Sequence, residues 1–384
     1  MKYLRGFIAA ALFAALTWAL TAFAKGHSVL VDMIYPYFSR FIQTSLTQWS
    51  SGVDFCLWQV LVVLMVVIAL ATIVLMIIFK WNPIQWIGWV VAVASFLWML
   101  HTGIYGLGNY AGSLADDIRL DVQTGYSVSK LAEATIYYRD KANELAESLP
   151  LDNMGERRYP TFREMAEQAG DGFQSLVYDY SYPVFSGSTI PVKELGWADW
   201  YTSMGITGVT MPLTGEAAVN PQTPVVSLPF TMCHEMAHRM CIPQERDANL
   251  AAFLACHANE DIFFQYSGYY MAFRYCHSAL ANVNTSAAKK AAQEIYAGCS
   301  DALKNDLLFY DIYYEEVIDD KASAVADKVN DGYIKVSGDE SGTQSYGEVC
   351  DLLVSWYEQE IYLPQHQEEE QKFDPLDKNQ VGMG

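Results

Sequence analysis

FTMCHEMAHRMCIPQERDANLAAF, residues 230–253 of 384, is the stretch on which the fold and the chemistry of this chain depend. A helical pattern resumes at Phe230, after a segment rich in Thr, Val, Gly and Pro. Pro243 cannot lie deep inside that helix, because proline lacks an amide hydrogen, but it suits the first turn of a second helix. The stretch therefore predicts two helices that face one another across a turn at Pro243.

These two helices carry a set of residues that can bind one metal ion. His234 and His238 are four residues apart, so on a helix both imidazoles lie on one face and can hold Zn²⁺, while Glu235 beside them can act as general base. On the second helix Glu245 can supply the third ligand, and Asn249, one turn further on, can hydrogen-bond a ligand. Three protein ligands leave the fourth position for water, as a catalytic zinc site requires.

Three long apolar runs lie in residues 1–112, at about 4–24, 55–79 and 84–108, and each is long enough to cross a bilayer as a helix. We therefore expect a membrane region there, with the lipid bilayer as a partner. Ala22-Phe23-Ala24 fits a signal-peptidase site, so the first span is either a cleaved signal or a retained anchor. MIYPYFSRFIQTSLTQW, residues 33–49 of the following loop, is aromatic and amphipathic and could lie at the membrane interface.

The positive residues around these spans indicate an orientation. Lys2 and Arg5 lie at the N-terminal end of the first span and Lys80 lies between the second and third, which places the N-terminus in the cytoplasm and the following domain outside the cytoplasm. Lys25 and Arg40 fall on the opposite side and reduce the charge difference. We expect a multi-pass protein of the cell membrane with an extracytoplasmic domain.

The rest of the chain is acidic and helical in pattern. The formal net charge is −20, and such a surface repels the phosphates of nucleic acids, so we expect no nucleic-acid partner. Residues 113–364 should form one helical domain with a small sheet, and the polar tail, residues 365–384, should be disordered. The seven cysteines are scattered without a CxxC pair and are expected to be mostly free and buried.

The motif HExxH at residues 234–238, followed by ExxAN at residues 245–249, resembles the gluzincin metallopeptidases, which include the CAAX prenyl protease and ImmA/IrrE families. On that likeness Glu245 matches the third zinc ligand, and Asn249 matches the Asp or Asn that accompanies it. The chain also resembles a bacterial family of proposed three-pass membrane metallopeptidases without an assigned function. That resemblance rests on the three apolar runs and on GITGVTMPLTGEAAVN (205–220), LPFTMCHEMAHR (228–239), ERDANLAAFLAC (245–256) and QSYGEVCDLL (344–353). It implies a mainly α chain with a zincin-like (α+β) domain and bound zinc, but no substrate.

Two features depart from the gluzincin pattern. Arg239 follows the second histidine, where many zincins have an uncharged residue, and only six residues separate His238 from Glu245. Asp247 is therefore a rival for the third ligand. Glu245 is favoured, because Asn249 lies on its own face one turn further on.

Two further segments are candidates for contact with a substrate. Tyr346 could donate a hydrogen bond to a tetrahedral oxyanion, although a tyrosine in a chain with 25 of them is more often a packing residue. GVTMPL, from Gly208 to Leu213, reads as a strand that is either a sheet edge able to pair with an extended peptide or an ordinary core strand.

The motifs together predict a membrane-anchored zinc metalloendopeptidase acting on a peptide or protein substrate. Glu235 would take a proton from the zinc-activated water and then return it to the leaving amine. The alternative is a membrane receptor or regulatory protein that keeps the zincin fold and its zinc without turnover.

Overall fold

Helices make up most of the chain in a computed structural model that describes residues 2–337 and 346–366. Three short strands form one small sheet, so the prediction of a mainly α chain with a small sheet is confirmed. Most of the predicted disordered tail lies outside the described residues. The α-helices are α1 (Arg5–Gly26), α2 (Ser28–Ser50), α3 (Leu57–Ile78), α4 (Pro83–Ile104), α5 (Leu114–Asp117), α6 (Val128–Ser148), α7 (Phe162–Tyr178), α8 (Ala198–Ser203), α9 (Leu228–Arg239), α10 (Glu245–Ala258), α11 (Ile262–Asn282), α12 (Ser286–Ala297), α13 (Asp301–Val317), α14 (Asp320–Ser337) and α15 (Tyr346–Tyr357); the strands are β1 (Lys193–Glu194), β2 (Gly208–Met211) and β3 (Glu216–Val219).

Three helices, α1, α3 and α4, are long and apolar enough to cross a membrane, as predicted. α1 and α4 pack closely and run in the same direction, since Gly6 lies against Gly88 near their starts and the Phe13 and Phe96 rings are 5.2 Å apart further along. A Cβ on Gly6 would come within 2.3 Å of the Gly88 backbone, so a larger side chain there would push the two helices apart. α1 and α4 therefore end on the same side of the bundle.

The segment between α1 and α3 is a helix and not the predicted loop. α2 begins at Ser28, after a break at His27, and continues for 23 residues to Ser50 in spite of Pro36 within it. The predicted interfacial stretch falls entirely inside this helix. The loop prediction was wrong because the apolar residues of this segment, although interrupted by polar ones, share one side of a helix.

The sheet has the order β1-β3-β2, with β1 parallel and β2 antiparallel to β3. Gly208 pairs with Val219 and Met211 with Glu216, so the prediction of a strand at GVTMPL is confirmed for residues 208–211. β2 ends at Met211, before Leu213, because the chain turns back over residues 212–215. Within the described residues β2 pairs on one side only and is an edge strand.

Glu216 joins the sheet to the membrane region. Its side chain is fully buried and accepts hydrogen bonds from the backbone amides of Leu57 (2.7 Å) and Trp58 (2.9 Å), the first residues of α3. The Lys193 ammonium, 2.7 Å from the same carboxylate, also donates to the carbonyls of Ser50 and Phe55. A negative charge at a helix N-terminus is favourable, and here Lys193 balances it. The sheet is thereby held against the start of α3.

The turn between α9 and α10 is a Schellman motif. The Cys241 amide donates to the carbonyl of His238 and the Ile242 amide to that of Ala237, while Cys241 takes a left-handed φ of +68°. α10 then begins at Glu245 with Gln244 as its N-cap, so Pro243 precedes the second helix and does not lie in its first turn as predicted. The Schellman hydrogen bonds already end α9 at Arg239, so Pro243 lies in the short connection before α10.

Replacing Cys241 with glycine should raise the thermal stability of the protein relative to the alanine variant. Both substitutions remove the thiol, but only glycine relieves the left-handed backbone, a gain of about 1 kcal/mol, or about 3 °C in Tm. Thermal unfolding of both full-length variants in detergent measures this difference. A glycine variant that melts at or below the Tm of the alanine variant would contradict the assigned turn.

Candidate metal centre

His234, His238 and Glu245 come together where α9 faces α10. The Nε2 atom of His234 is 3.3 Å from Oε2 of Glu245, and Nε2 of His238 is 3.6 Å from Oε1. One ligand atom from each of the three residues lies within 4.8 Å of the others. The two helices and the turn thus bring together the three side chains that the sequence predicted as metal ligands.

The turn also orients one of the two imidazoles. His238 Nδ1 lies 2.9 Å from the carbonyl oxygen of Ile242, and because a carbonyl only accepts, Nδ1 carries the hydrogen. In the neutral imidazole the lone pair of His238 is therefore on Nε2, the atom that lies nearest Glu245 and that a metal would need. His234 differs, since its buried Nδ1 has no hydrogen-bond partner among the described residues.

The charges of His238 and Glu245 stabilise one another. Burial by itself lowers the pKa of His238, but the carboxylates of Glu245 and Glu235 together with the Ile242 carbonyl outweigh it and raise the pKa to about 9. Burial also acts to raise the pKa of Glu245, yet the two imidazoles bring it well below its usual range. The cluster therefore favours a positive charge between its ligand atoms.

Glu235 lies against β2. Its side chain is buried, and its Oε2 accepts a 2.7 Å hydrogen bond from the hydroxyl of Thr210. Gly208 is essential to this approach, because a Cβ at that position would come within 2.4 Å of Oε1 of Glu235. Burial raises the pKa of Glu235, while His234, His238 and the Thr210 hydroxyl lower it. The edge strand therefore holds the predicted general base next to the histidine pair.

Asp247, the rival ligand, points away from the histidines. Its buried Oδ2 accepts a 2.8 Å hydrogen bond from the amide of Leu114, the first residue of α5. Asn249 keeps its predicted place one turn beyond Glu245, but its amide donates to the Glu245 backbone carbonyl at 2.9 Å and not to the carboxylate. The hydroxyl of Tyr275 in turn donates to Asn249 at 3.1 Å. Asn249 thus positions the backbone of the candidate ligand.

Arg239, the charged residue after the second histidine, is turned into the protein. It is 2% exposed, and its guanidinium donates to the backbone carbonyls of Ser188 and Ile190. Burial lowers its pKa to about 9. Arg239 therefore ties α9 to the segment that leads into β1 and does not enter the metal cluster.

The structure leaves the predicted role of one tyrosine untested and places a second tyrosine near the site. Tyr346 begins α15, but its side chain lies outside the described part of the chain, so its proposed role stays a prediction. Tyr105, just beyond α4, was not predicted. Burial raises its pKa well above the usual range, with further contributions from Tyr333, Cys241, Glu245 and Glu235. The end of the third span therefore lies within electrostatic reach of the candidate metal centre.

The residues present fit a zinc ion. Two imidazole nitrogens and one carboxylate oxygen suit Zn²⁺, and a divalent ion would supply the positive charge that the cluster favours. Thr210 and Tyr105 could not be predicted, because their places depend on tertiary packing, of β2 against α9 and of the end of α4 near the cluster.

Comparison with known proteins identifies the family. Among curated proteins and among solved structures, none matches the chain. One family model, described as "Protein of unknown function (DUF3810)", matches residues 31–354, which include most of α2, the spans α3 and α4, the sheet and the metal cluster. Since the match covers far more than half of the sequence, this chain belongs to the DUF3810 family.

Proposed function

We propose that this protein is a zinc-dependent metallopeptidase of the gluzincin type, anchored in the membrane. The observation that carries the proposal is the convergence of His234, His238 and Glu245, with ligand atoms within 4.8 Å of one another, beside the buried carboxylate of Glu235. A structural zinc site normally has four protein ligands, whereas three are found among the described residues. The fourth position is thus available for water and substrate.

Each residue has a defined part in peptide-bond hydrolysis. His234, His238 and Glu245 would hold the metal, with His238 fixed by the Ile242 carbonyl. A bound zinc ion supplies Lewis acidity, which lowers the pKa of water and polarises a carbonyl group. Glu235, held by Thr210, takes a proton from the attacking water and gives it to the leaving amine.

The edge strand offers a place for the substrate. An extended peptide can add to the free side of β2 by backbone hydrogen bonds, and Gly208 at its start lies against the Glu235 carboxylate. A peptide aligned in this way would have its backbone next to the general base. Backbone pairing supplies affinity with little demand on side chains, so β2 supports a peptide substrate over a small molecule.

Replacing Glu245 with glutamine should weaken zinc binding by at least about tenfold, because an amide is a poorer ligand than a carboxylate. Asp247→Asn is the matched control and should keep its zinc, since an amide oxygen can still accept from Leu114. Zinc content and affinity of the purified full-length variants measure this. Loss of zinc from Asp247→Asn alone would instead make Asp247 the ligand.

Replacing Glu235 with glutamine should abolish hydrolysis of a mixed peptide library, a loss of at least about 100-fold, while zinc content stays unchanged. Glu133→Gln, the same change on the exposed face of α6, serves as the control. A zinc-loaded protein whose cleavage does not depend on Glu235 would contradict the peptidase and favour the receptor.

Thr210→Val should reduce kcat by about tenfold with unchanged zinc content, because Glu235 loses the hydroxyl that orients it. Thr210→Ser keeps the hydroxyl and should restore most of kcat. A serine variant as slow as the valine variant would show that Thr210 acts through packing alone.

A further inference from the structure

α2 buries a polar face and exposes an apolar face, the reverse of a helix at a surface that faces water. Its buried side chains are largely polar, with exposures of 0–8%: Ser39, Arg40, Gln43, Thr47 and Ser50. Its large apolar and aromatic side chains are mostly exposed, by 43–74%: Val29, Leu30, Met33, Ile34, Tyr37, Phe38, Phe41 and Trp49. A surface of this composition and size is stable against lipid and not against water.

The polar face of α2 is hydrogen-bonded to the rest of the protein. Arg40 donates to the carbonyls of Pro183 and Val184, and Ser39 lies 3.1 Å from the Sγ atom of Cys241 in the α9–α10 turn. Gln43 donates to the carbonyl of Pro212 at 3.0 Å, directly after β2. The orientation of α2 is thus specified by hydrogen bonds, and these leave its apolar face outward.

The contacts of α2 place it across the ends of the membrane spans. It begins beside the end of α1, and the hydroxyls of Tyr35 and Ser39 donate to carbonyls of Gly103 and Ile104 at the end of α4. At the other end of α2, the Lys193 ammonium donates to the carbonyls of both Ser50 and Phe55, and Phe55 lies just before the start of α3. A helix that meets the ends of α1 and α4 on one side of the bundle, and then the start of α3, runs along the membrane plane. The exposed residues of α2 then meet the bilayer surface.

This position sets an upper limit on the distance between the candidate metal centre and the membrane. β2 runs from Gly208, at the Glu235 carboxylate, to Met211, and Gln43 of α2 binds the next carbonyl. Four extended residues span about 13 Å. The α2 helix between β2 and the bilayer is about 10 Å wide. An extended chain that leaves the bilayer covers both lengths, and so reaches Glu235, within about ten residues.

We infer that α2 is an in-plane membrane helix and that the metal centre it carries acts on membrane-anchored polypeptides, within about ten residues of the bilayer surface. The bilayer contact stands on the burial pattern and hydrogen bonds of α2. The substrate class rests on the peptidase function proposed above. An extended substrate would run along β2 from the membrane toward Glu235.

Spin labels test the bilayer contact in the full-length protein, reconstituted in nanodiscs of phosphatidylcholine and phosphatidylglycerol. Labels at Tyr37→Cys and Phe41→Cys should collide with oxygen and be shielded from a water-soluble nickel chelate. Lys290→Cys on α12, whose side chain is 77% exposed, is the control and should show the reverse. The unsubstituted protein, treated with the same label, corrects for the native cysteines. Nickel access at positions 37 and 41 equal to that at 290 would overturn the contact and the substrate class derived from it.

Three substrates with the same randomised peptide stretch test the substrate class. In the first, a transmembrane anchor holds the stretch at the bilayer surface; in the second, a proline-rich spacer of about 20 residues moves it about 60 Å away; the third has no anchor. The first should be cleaved at least about tenfold faster than both others, and only when Glu235 is intact. Equal Glu235-dependent rates would overturn the substrate class but leave the peptidase. No Glu235-dependent cleavage of any substrate would overturn the peptidase and the substrate class, while the spin labels still decide the position of α2.

Discussion

The Schellman turn at residues 240–244 is the constraint on which the candidate site and its surroundings depend. It stops α9 within one turn of His238, and the Ile242 carbonyl returns to orient that imidazole. It also reverses the chain, so that Glu245 at the start of α10 faces both histidines. The same turn touches the membrane region, since Pro243 packs near Gly108 and Cys241 near Ser39. A change in the backbone of the turn would displace His238, Glu245 and the contacts with the membrane region together.

The membrane region and the sheet act as one support. Glu216 accepts hydrogen bonds from the first amides of α3, and α2 binds the turn after β2. The strands β2 and β3 both pack against α9. Buried hydrogen bonds of this kind resist displacement because breaking one leaves a polar group unpaired away from water. The edge strand is therefore held in a fixed position between α2 and Glu235, which is what the proposed site for membrane-anchored substrates requires.

The electrostatics of the site follow from the same packing. Glu245 and His238 are mutually stabilised, while the carboxylate of Glu235 is hydrogen-bonded to Thr210. Two carboxylates thus have different surroundings and would have different tasks, one as ligand and one as base. Arg239, which the sequence suggested as a disturbance of the zincin pattern, is compatible with the site because its charge is directed to backbone carbonyls of the segment before β1.

The sequence by itself determined the features that depend on local spacing. Uncharged runs predicted three span-length helices, the four-residue spacing of His234 and His238 put them on one face, and Pro243 marked the break between α9 and α10. The tertiary structure alone decided which acidic residue turns toward the histidines, because the amide of Leu114 holds Asp247 away from them. It also paired Thr210 with Glu235 and turned the polar face of α2 inward. These choices are set by contacts between residues far apart in the chain, whose energies depend on packing and burial and not on the order of neighbouring residues.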